Sequence, residues 1–256
     1  MFNCWQETVS LNLLYSFTYF LIWGIVTYFR PTTVWRGNKQ LQLEWDNTLV
    51  SLIHSFVSSF LLIAVVFLDE HALEMILYVS NSRILYFKSA IYVLTLCHTI
   101  GYMQYDLIMF FKNGWYKTSR KPMVVHHILI IFCFTLGASA CSYYPILVFG
   151  LFAELNSLFM HLRKLYKLID NINSKIYSIS ALLLVVTYVP FRILPHIIMT
   201  IQVWILRESF LHYSHFVLAF IGMNVLSFLN ILFLFKFKST DIFNRSLQLL
   251  GLSKIK

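Results

Sequence analysis

Two adjacent histidines, His126 and His127, lie near the start of an apolar segment that continues from Ile128 to Leu136. Burying an imidazole in a bilayer costs free energy, so such a residue is usually retained for a purpose. Three purposes are open: proton transfer, binding of a metal ion or lipid head group, and a hydrogen bond between helices. Because adjacent helical residues point about 100° apart, we expect at most one ring to face an enclosed chamber squarely. The other would orient it or bond to a neighbouring helix.

The composition places this segment in a membrane protein. Hydrophobic residues make up 59% of the 256 residues, charged residues make up 12%, and the mean hydropathy is +0.70, far from the mix of soluble domains. We therefore predict an all-α polytopic membrane protein. Seven apolar segments have about the length needed to cross a hydrocarbon core of about 30 Å: residues 9–28, 48–68, 89–111, 123–138, 145–161, 177–204 and 211–235.

The distribution of Lys and Arg predicts the topology, because short cytoplasmic loops carry the excess of these residues. With seven spans, the loops and tail on one side hold sixteen of them and the opposite side holds three. We predict an N-terminus outside and a C-terminus in the cytoplasm. The fourth and fifth spans are short, and the small and polar residues 137–144 between them predict a tight turn. Merging these two spans into one re-entrant element would fit the same Lys and Arg count, so the asymmetry supports the pairing of loops more strongly than the number seven. A disulfide is conceivable only between Cys4 and Cys141.

Three residues of the Asp, Glu, Lys and Arg types occur inside the predicted spans: Asp106, Glu154 and Arg192. Each is a candidate for a functional site by default. At 1.5 Å per residue, Asp106 lies about 8 Å from the inner end of its span, Glu154 about 10 Å and His54 about 9 Å. Together with the histidine pair, they predict a layer of ionisable groups in the cytoplasmic half of the bundle.

Polar residues three, four or seven apart share one helix face, and such stripes occur on several of the spans. Stripes on several helices favour a shared interior, so we predict a chamber with a polar floor and apolar walls, open toward the cytoplasm. Pro190 and Pro195 are expected to bend the sixth span near its outer end. The residues predicted to line the chamber are His54, His98, Tyr102, Tyr105, Glu154, Ser157, Arg192 and His196.

Each candidate also has a structural explanation. A lone transmembrane histidine such as His98 more often makes a packing hydrogen bond than it does chemistry. Asp106 could equally be the structural partner of a histidine or of the basic loop. For Arg192 we favour a structural role, as the counter-charge of a buried carboxylate or as a phosphate ligand. The histidine pair is where we favour function, and the candidate catalytic residues are His126, His127 and Asp106.

Several short runs of residues, taken together, resemble a known family. They are Trp45, Val50, Ser51, Ile53, His54 and Ser55; Gly101, Tyr102, Tyr105 and Asp106; His126 and His127; Ala153, Glu154, Asn156 and Ser157; and Phe191, Arg192, Leu194 and Pro195. This set is similar to the TLC domain, whose superfamily includes the ceramide synthases, the translocation-associated membrane protein and the TLC domain-containing proteins. The resemblance implies six helices around a central cavity, often with an additional N-terminal helix. We accordingly divide the chain into an anchor helix and basic loop (1–39), a TLC domain (40–237) and a basic, amphipathic cytoplasmic tail (238–256).

The resemblance also separates subfamilies. Ceramide synthases pair the double histidine with a downstream His-Asp-x-x-Asp cluster, and the matching stretch 148–161 has only Glu154, Asn156 and Ser157. This argues against ceramide synthesis by that route. The Phe-Arg-x-x-Pro pattern at 191–195 looks more like the TLC domain-containing proteins tied to phospholipid composition and membrane fluidity at the plasma membrane. That resemblance implies a role in lipid homeostasis and favours the plasma membrane over the endoplasmic reticulum, but it does not imply catalysis.

Two hypotheses follow. In the first, the chamber binds membrane lipid, either phospholipid or acyl chains, and alters bilayer composition without chemistry or a cofactor. In the second, the protein is an acyltransferase-like lipid enzyme that uses acyl-CoA. One histidine of the pair would be the general base for a hydroxyl or amine that attacks the thioester, and Asp106 or Glu154 would fix its tautomer. Against the second, the sequence indicates no oxyanion stabiliser and no acyl-carrier site.

Other classes are disfavoured by specific features. The net charge of +9 does not indicate nucleic acid binding, because the cations lie next to the spans, where anionic lipid accounts for them. A heptahelical receptor would need an Asp-Arg-Tyr-like end on the third span and an Asn-Pro-x-x-Tyr motif on the seventh. This sequence has neither motif, which disfavours a receptor. A metal site of His54, the histidine pair and Asp106 is chemically possible, but no closely spaced ligand motif requires it. The sequence does not indicate an oligomeric state.

Overall fold

A computed structural model describes residues 4–78, 80–117 and 121–238. The predicted amphipathic segment of the tail, 239–256, lies outside the described residues. The described part is helical and contains no strand. The twelve α-helices are α1 Cys4–Tyr28, α2 Thr32–Trp35, α3 Lys39–Leu68, α4 Ala72–Leu77, α5 Arg83–Tyr86, α6 Ala90–Lys112, α7 Lys121–Ser139, α8 Tyr144–Phe149, α9 Phe152–Leu168, α10 Lys175–Tyr188, α11 Leu194–Ile205 and α12 Tyr213–Lys238.

The prediction of an all-α polytopic membrane protein is confirmed. In the described ranges, six helical segments are long and apolar enough to cross a membrane: Thr8–Tyr28, Lys39–Leu68, Lys121–Ser139, Tyr144–Leu168, Lys175–Ile205 and Tyr213–Phe235. The remaining predicted span corresponds to α6, whose 23 residues cover about 34 Å at 1.5 Å per residue. Helix α6 is long enough to cross a membrane but is less apolar than the other six segments, because His98, Gln104 and Asp106 lower its mean hydropathy. Those polar residues are tolerated since α6 is the most enclosed long helix.

Helix α6 is at the centre of the bundle and packs against α1, α3 and α7. The contact with α1 is close at Gly101. A Cβ atom added there would lie 2.6 Å from the Cβ of Tyr15 and 2.8 Å from the backbone nitrogen of Ser16. Only glycine allows the two backbones to approach this far. The N-terminal helix is thus packed directly onto the helix that carries Asp106.

Local sequence signals fix where two of the long helices begin. The Asn38 side chain accepts a hydrogen bond from the backbone nitrogen of Leu41 at the start of α3, and Ser174 does the same for Tyr177 at the start of α10. Such N-caps satisfy amide groups that have no partner within the helix. At the bilayer-facing surface, large apolar side chains such as Phe17, Phe60 and Phe132 are exposed, as contact with lipid requires.

The α7–α8 connection is a tight turn, as predicted. Cys141 and Tyr143 have φ angles of 51° and 69°, in the left-handed region that tight turns use. Burial raises the pKa of Tyr143, so its hydroxyl stays protonated and can donate to Nδ1 of His215 at 3.0 Å. The same hydroxyl oxygen accepts from the backbone nitrogen of Leu211 at 3.1 Å. The turn is therefore tied to α12.

The described cysteines differ in state. Cys141 is disulfide-bonded, whereas Cys97 and Cys133 are not part of a disulfide. The side chain of Cys4, the one conceivable partner in the sequence, lies outside the described part of the structure.

The predicted bend in the sixth span takes the form of a π-helical segment, Val189–Ile193, between α10 and α11. Proline has no backbone N–H to donate, and Pro190 and Pro195 lie in and just after this segment. Short π-helical segments widen the helix by one residue and occur often at functional sites. This one contains Arg192, and the wider turn presents its side chain to the interior of the bundle.

Candidate functional site

The bundle contains two neighbouring cavities. The first lies between α3, α6, α7 and α9, at the end of the bundle where α3 and α7 begin and where Lys112 and Lys164 are found. We call it the basic-end cavity, and its volume is about 280 Å³. Most of its lining residues have polar or charged side chains, and the full set is Asn47, Thr48, Ser51, Tyr102, Met103, Asp106, Phe110, Met123, His126, His127, Glu154, Ser157, Met160, His161, Lys164, Arg192 and Phe233.

The second cavity, which we call the apolar chamber, extends from the first toward the α7–α8 turn, between α7, α8, α9, α11 and α12. It is narrow, with a volume of about 90 Å³. Along α12 its lining runs from Asn230 to His215, a distance of about 22 Å at 1.5 Å per residue. Most of its wall is aliphatic or aromatic, and the residues that typify it are Leu129, Ile130, Phe134, Leu147, Leu218, Ala219, Gly222 and Leu226.

Three of the predicted site residues, His126, Glu154 and Arg192, line both cavities. They form the boundary at which the apolar chamber meets the basic-end cavity. The geometry also separates the two histidines: His126 is partly exposed and lines both cavities, whereas His127 is 3% exposed and lines only the basic-end cavity. A ligand in either cavity would thus contact His126.

His127 faces α6 and approaches Asp106. Its Nδ1 lies 3.2 Å from Oδ2 of Asp106, and the other carboxylate oxygen accepts a hydrogen bond of 2.7 Å from the side-chain amide of Asn47. The rings of Tyr102 and Phe110 pack edge-on against the imidazole. A carboxylate hydrogen-bonded to one ring nitrogen fixes the orientation and tautomer of a histidine. In the described structure Nδ1 of His127 makes no hydrogen bond, so the imidazole lies close to the carboxylate of Asp106 without being fixed by it.

Arg192 is held by neutral groups from two helices. Its Nε donates to Oδ1 of Asn156 at 3.1 Å, one terminal nitrogen donates to Oδ1 of Asn230 at 3.2 Å, and the other donates to Oγ of Ser157 at 2.5 Å. Within the described residues no ion pair joins it to Glu154. Arg192 is 8% exposed, so its positive charge is kept at the boundary without a direct carboxylate contact.

Glu154 is supported from α3. Its Oε2 accepts a hydrogen bond of 2.6 Å from the hydroxyl of Ser55, and its side chain is 9% exposed. One helical turn beyond Arg192, His196 is 4% exposed and lines the apolar chamber. The boundary thus carries an acidic, a basic and an imidazole group in an otherwise apolar part of the protein.

Three residues predicted to line the chamber lie elsewhere. His54, His98 and Tyr105 are buried between α1, α3 and α6, where the hydroxyl of Tyr19 hydrogen-bonds to Nε2 of His98 and lies 3.3 Å from Nδ1 of His54. The ring of His54 stacks on Tyr102 at 3.7 Å. These residues join helices. Tyr102 contacts both regions, because its ring stacks on His54 while its side chain lines the basic-end cavity, where its hydroxyl donates to Ser51 at 2.9 Å.

Sequence reasoning missed four residues of this arrangement: Asn47, Asn156 and Asn230 as site residues, and Tyr19 as a packing partner. Asn47 is one turn before Ser51 on the polar stripe of α3, so the helical spacing already pointed to it. Asn156 and Asn230 are amides inside apolar spans, a signal that a search confined to ionisable residues ignores. Tyr19 belongs to the helix that was treated as a separate anchor.

Among the described residues, no group of three or more His, Cys, Asp and Glu side chains is arranged to hold a metal ion.

Comparison with known proteins gives the family. A model described as the TLC domain matches residues 44–238, about three quarters of the chain. The chain belongs to the TLC domain family. TLC domain-containing protein 2 of Danio rerio is 23% identical over 203 residues, which is 79% of this chain and 78% of that protein. TLC domain-containing protein 2 of Mus musculus is 27% identical over 199 residues, 76% of this chain and 58% of that protein.

A third relative, TLC domain-containing protein 4 C of Dictyostelium discoideum, is 27% identical over 158 residues, 60% of this chain and 53% of that protein. The chain thus spans little more than half of two of these three relatives. No solved structure matches it. All the residues that line the two cavities fall inside the matched TLC domain, whereas α1 lies outside it and packs against it.

Proposed function

We propose that this TLC-domain protein acts in lipid homeostasis by binding lipid in its intramembrane chamber, and that it thereby regulates membrane phospholipid composition and fluidity. The observation that supports this is the junction of a narrow apolar chamber with a polar cavity at His126, Glu154 and Arg192. An amphiphilic lipid is divided in the same way, into an apolar acyl chain and a polar head. Its acyl chain would occupy the chamber and its polar end would meet the boundary.

The shape and charge of the two cavities favour particular ligands. The apolar chamber is about 22 Å long and narrow, so it suits one unbranched chain better than two side by side. Met223 and Leu226, which line it, are flexible enough to widen it on binding. The basic-end cavity carries Lys164 and opens beside the basic loops, so it suits a phosphate or carboxylate. A phospholipid with one chain inserted, or a free acyl lipid, meets these conditions.

A second function is supported by a specific contact, the approach of His127 to Asp106. In an acyltransferase-like enzyme, a histidine of the pair would take the proton of a hydroxyl or amine while that group forms a bond to the carbonyl carbon of acyl-CoA. The carbon–sulfur bond would break, and the proton would pass from the imidazole to the departing thiolate. His126 lines both cavities and is the better placed of the two to meet the reacting groups, and the ring of His127, which lies beside Asp106, would pack against it with the ring centroids 5.6 Å apart.

We also propose that the basic end of the bundle faces the cytoplasm, that the N-terminus is outside, and that the protein acts at the plasma membrane. The excess of Lys and Arg at that end supports the orientation. The disulfide at Cys141 supports it independently, because disulfides persist in oxidising compartments and this residue lies at the opposite end. The plasma membrane is favoured by the resemblance at Phe191 to Pro195.

The test is lipidomics of cells that lack the protein, rescued at equal expression with four forms. These are the wild type, His126→Ala/His127→Ala, the chamber-filling variant Ala219→Phe, and Val186→Phe as a control whose side chain faces lipid. If the binding function holds, the wild type and the control restore the affected phospholipid class, the double histidine variant restores it in part because His126 borders both cavities, and Ala219→Phe does not restore it. Restoration by Ala219→Phe would contradict the proposal. Loss with both variants, joined by turnover of acyl-CoA by the purified wild type alone, would favour the enzyme.

A further inference from the structure

The surface of α12 that faces away from the chamber carries a regular stripe. Ile221, Asn224, Phe228, Ile231 and Phe235 are all exposed and are separated alternately by three and four residues. An average spacing of 3.5 residues is the repeat that lets two helices pack along a continuous seam. Four members are apolar, as a surface in lipid requires, and Asn224 is not.

Asn224 lies at the middle of a membrane-spanning segment. It is eleven residues from either end of the span Tyr213–Phe235, or about 16 Å at 1.5 Å per residue. Its amide nitrogen donates to the carbonyl of Phe220 at 2.7 Å, and this is its only hydrogen bond within the described part of the chain. Its carbonyl oxygen and second N–H therefore face hydrocarbon, where no water can satisfy them and their exposure is costly.

This placement is exceptional in the protein. Along the described spanning helices, no other Asn, Gln or charged side chain is exposed away from the ends of a span. The amides deeper in the structure have partners: Asn156 and Asn230 hold Arg192, and Asn47 holds Asp106. A polar group that faces lipid at mid-depth is a feature of helix surfaces that associate through hydrogen bonds.

We propose that the exposed stripe of α12 docks a second copy of this chain, with the two Asn224 side chains hydrogen-bonded to each other. All copies insert with the same orientation, so a two-fold axis along the membrane normal sets each residue opposite its own counterpart at the same depth. A carboxamide is self-complementary, because its oxygen accepts from the N–H of an identical group. A different partner would need a matching polar residue at the same depth, whereas a second copy supplies it automatically.

The docked arrangement is compatible with an open chamber. The opposite side of α12, at Ala219, Gly222 and Leu226, lines the apolar chamber. Two copies joined through their stripes would therefore be back to back, each with its own chamber. The inference does not depend on what the chamber binds.

The experiment uses the full-length protein, labelled once per chain and reconstituted into lipid vesicles over a series of protein-to-lipid ratios. Photobleaching steps count the copies per vesicle. We expect the wild type to dimerise and Asn224→Leu to weaken association about tenfold, or about 1.4 kcal/mol, because the dimer loses two interhelical hydrogen bonds of roughly 0.7 kcal/mol each. Asn224→Gln should retain most of the association because it keeps the amide.

A matched pair of Phe→Ala variants tests the location of the interface. Phe228 belongs to the stripe and is 59% exposed, whereas Phe132 is on the lipid-facing side of α7 and is 51% exposed. We expect Phe228→Ala to weaken association and Phe132→Ala to leave it unchanged. The proposal would be overturned by a wild type that stays monomeric at every ratio, by equal association of wild type and Asn224→Leu, or by equal effects of the two Phe→Ala variants.

Discussion

The protein has two regions in which histidines, tyrosines and serines lie inside the membrane, and they differ in what fills the space beside them. Between α1, α3 and α6, the histidines His54 and His98 are in contact with the ring or hydroxyl of Tyr19. Between α7, α9 and α12, the space beside His126 is open on two sides. The residue types are alike, but only the second region has room for a ligand.

The difference arises from the neighbouring helix and not from the histidines themselves. In the packed region, α1 supplies the large side chains Tyr15 and Tyr19, and Gly101 allows it to come close. In the open region, α12 supplies the small residues Ala219 and Gly222, which line the apolar chamber, and Gly222 also packs closely on α7, since a Cβ there would lie 3.3 Å from Sγ of Cys133. A polar stripe is therefore structural where a bulky helix covers it and available for function where a small-residue helix leaves a gap.

The largest expected effect is on the packed region. Gly101→Ala would place a Cβ atom against the backbone of α1 at Ser16, which cannot move aside as a flexible side chain would. We expect a loss of about 3 kcal/mol in the free energy of unfolding, at the upper end of overpacking effects, measured by denaturant unfolding in detergent micelles. Gly24→Ala is the control, since a Cβ there meets nothing within 4 Å. Equal stability of the two variants would show that α1 does not pack closely on α6.

Removing the boundary charge should affect both binding and stability. Arg192→Met leaves the side-chain oxygens of Asn156 and Asn230 without their guanidinium donor. We expect about 1–3 kcal/mol of destabilisation from these unpaired buried groups and at least tenfold weaker binding of a lipid with an anionic head. Thermal unfolding and binding of a fluorescent lysophospholipid give the two values. Unchanged binding with reduced stability would mean that Arg192 serves the fold alone.

The packed histidine should matter for stability but not for binding. His98→Phe keeps the ring volume but removes the hydrogen bond with Tyr19. We expect a loss of about 1 to 2 kcal/mol, the usual cost of losing a buried hydrogen bond, together with unchanged lipid binding. If His98→Phe weakened lipid binding as well as stability, the packed region would be coupled to the chamber.

The open histidine should behave in the opposite way and has the smallest expected effect on stability. His126→Phe removes a polar group that borders empty space, so we expect a change of less than about 1 kcal/mol in the free energy of unfolding, typical of substitutions that break no buried interaction. Binding of the same lysophospholipid should fall several-fold. Comparable stability loss in His126→Phe and His98→Phe would remove the distinction between the two regions.

The sequence predicted the elements well because their signals are local. Apolar length placed the spans, the turn residues placed the α7–α8 connection, and the prolines marked the bend near Arg192. Whether each polar stripe packs against another helix or lines a cavity was harder to predict, because this depends on which helix lies opposite the stripe. His54 and His98 were assigned to the chamber since nothing in α3 or α6 indicates that Tyr19 covers them. The partners of Arg192 come from α9 and α12, and a contact over that distance in sequence leaves no periodic signal.

The most direct test of the central claim is native mass spectrometry of the purified protein released from detergent, with Ala219→Phe compared with Val186→Phe. Both variants add one aromatic ring to an apolar helix, the first inside the chamber and the second toward lipid. The proposed function predicts that the wild type and Val186→Phe retain one acyl lipid per chain and that Ala219→Phe retains none, at equal thermal stability. Retention of the same lipid by Ala219→Phe would show that the chamber between α7 and α12 is not where lipid binds.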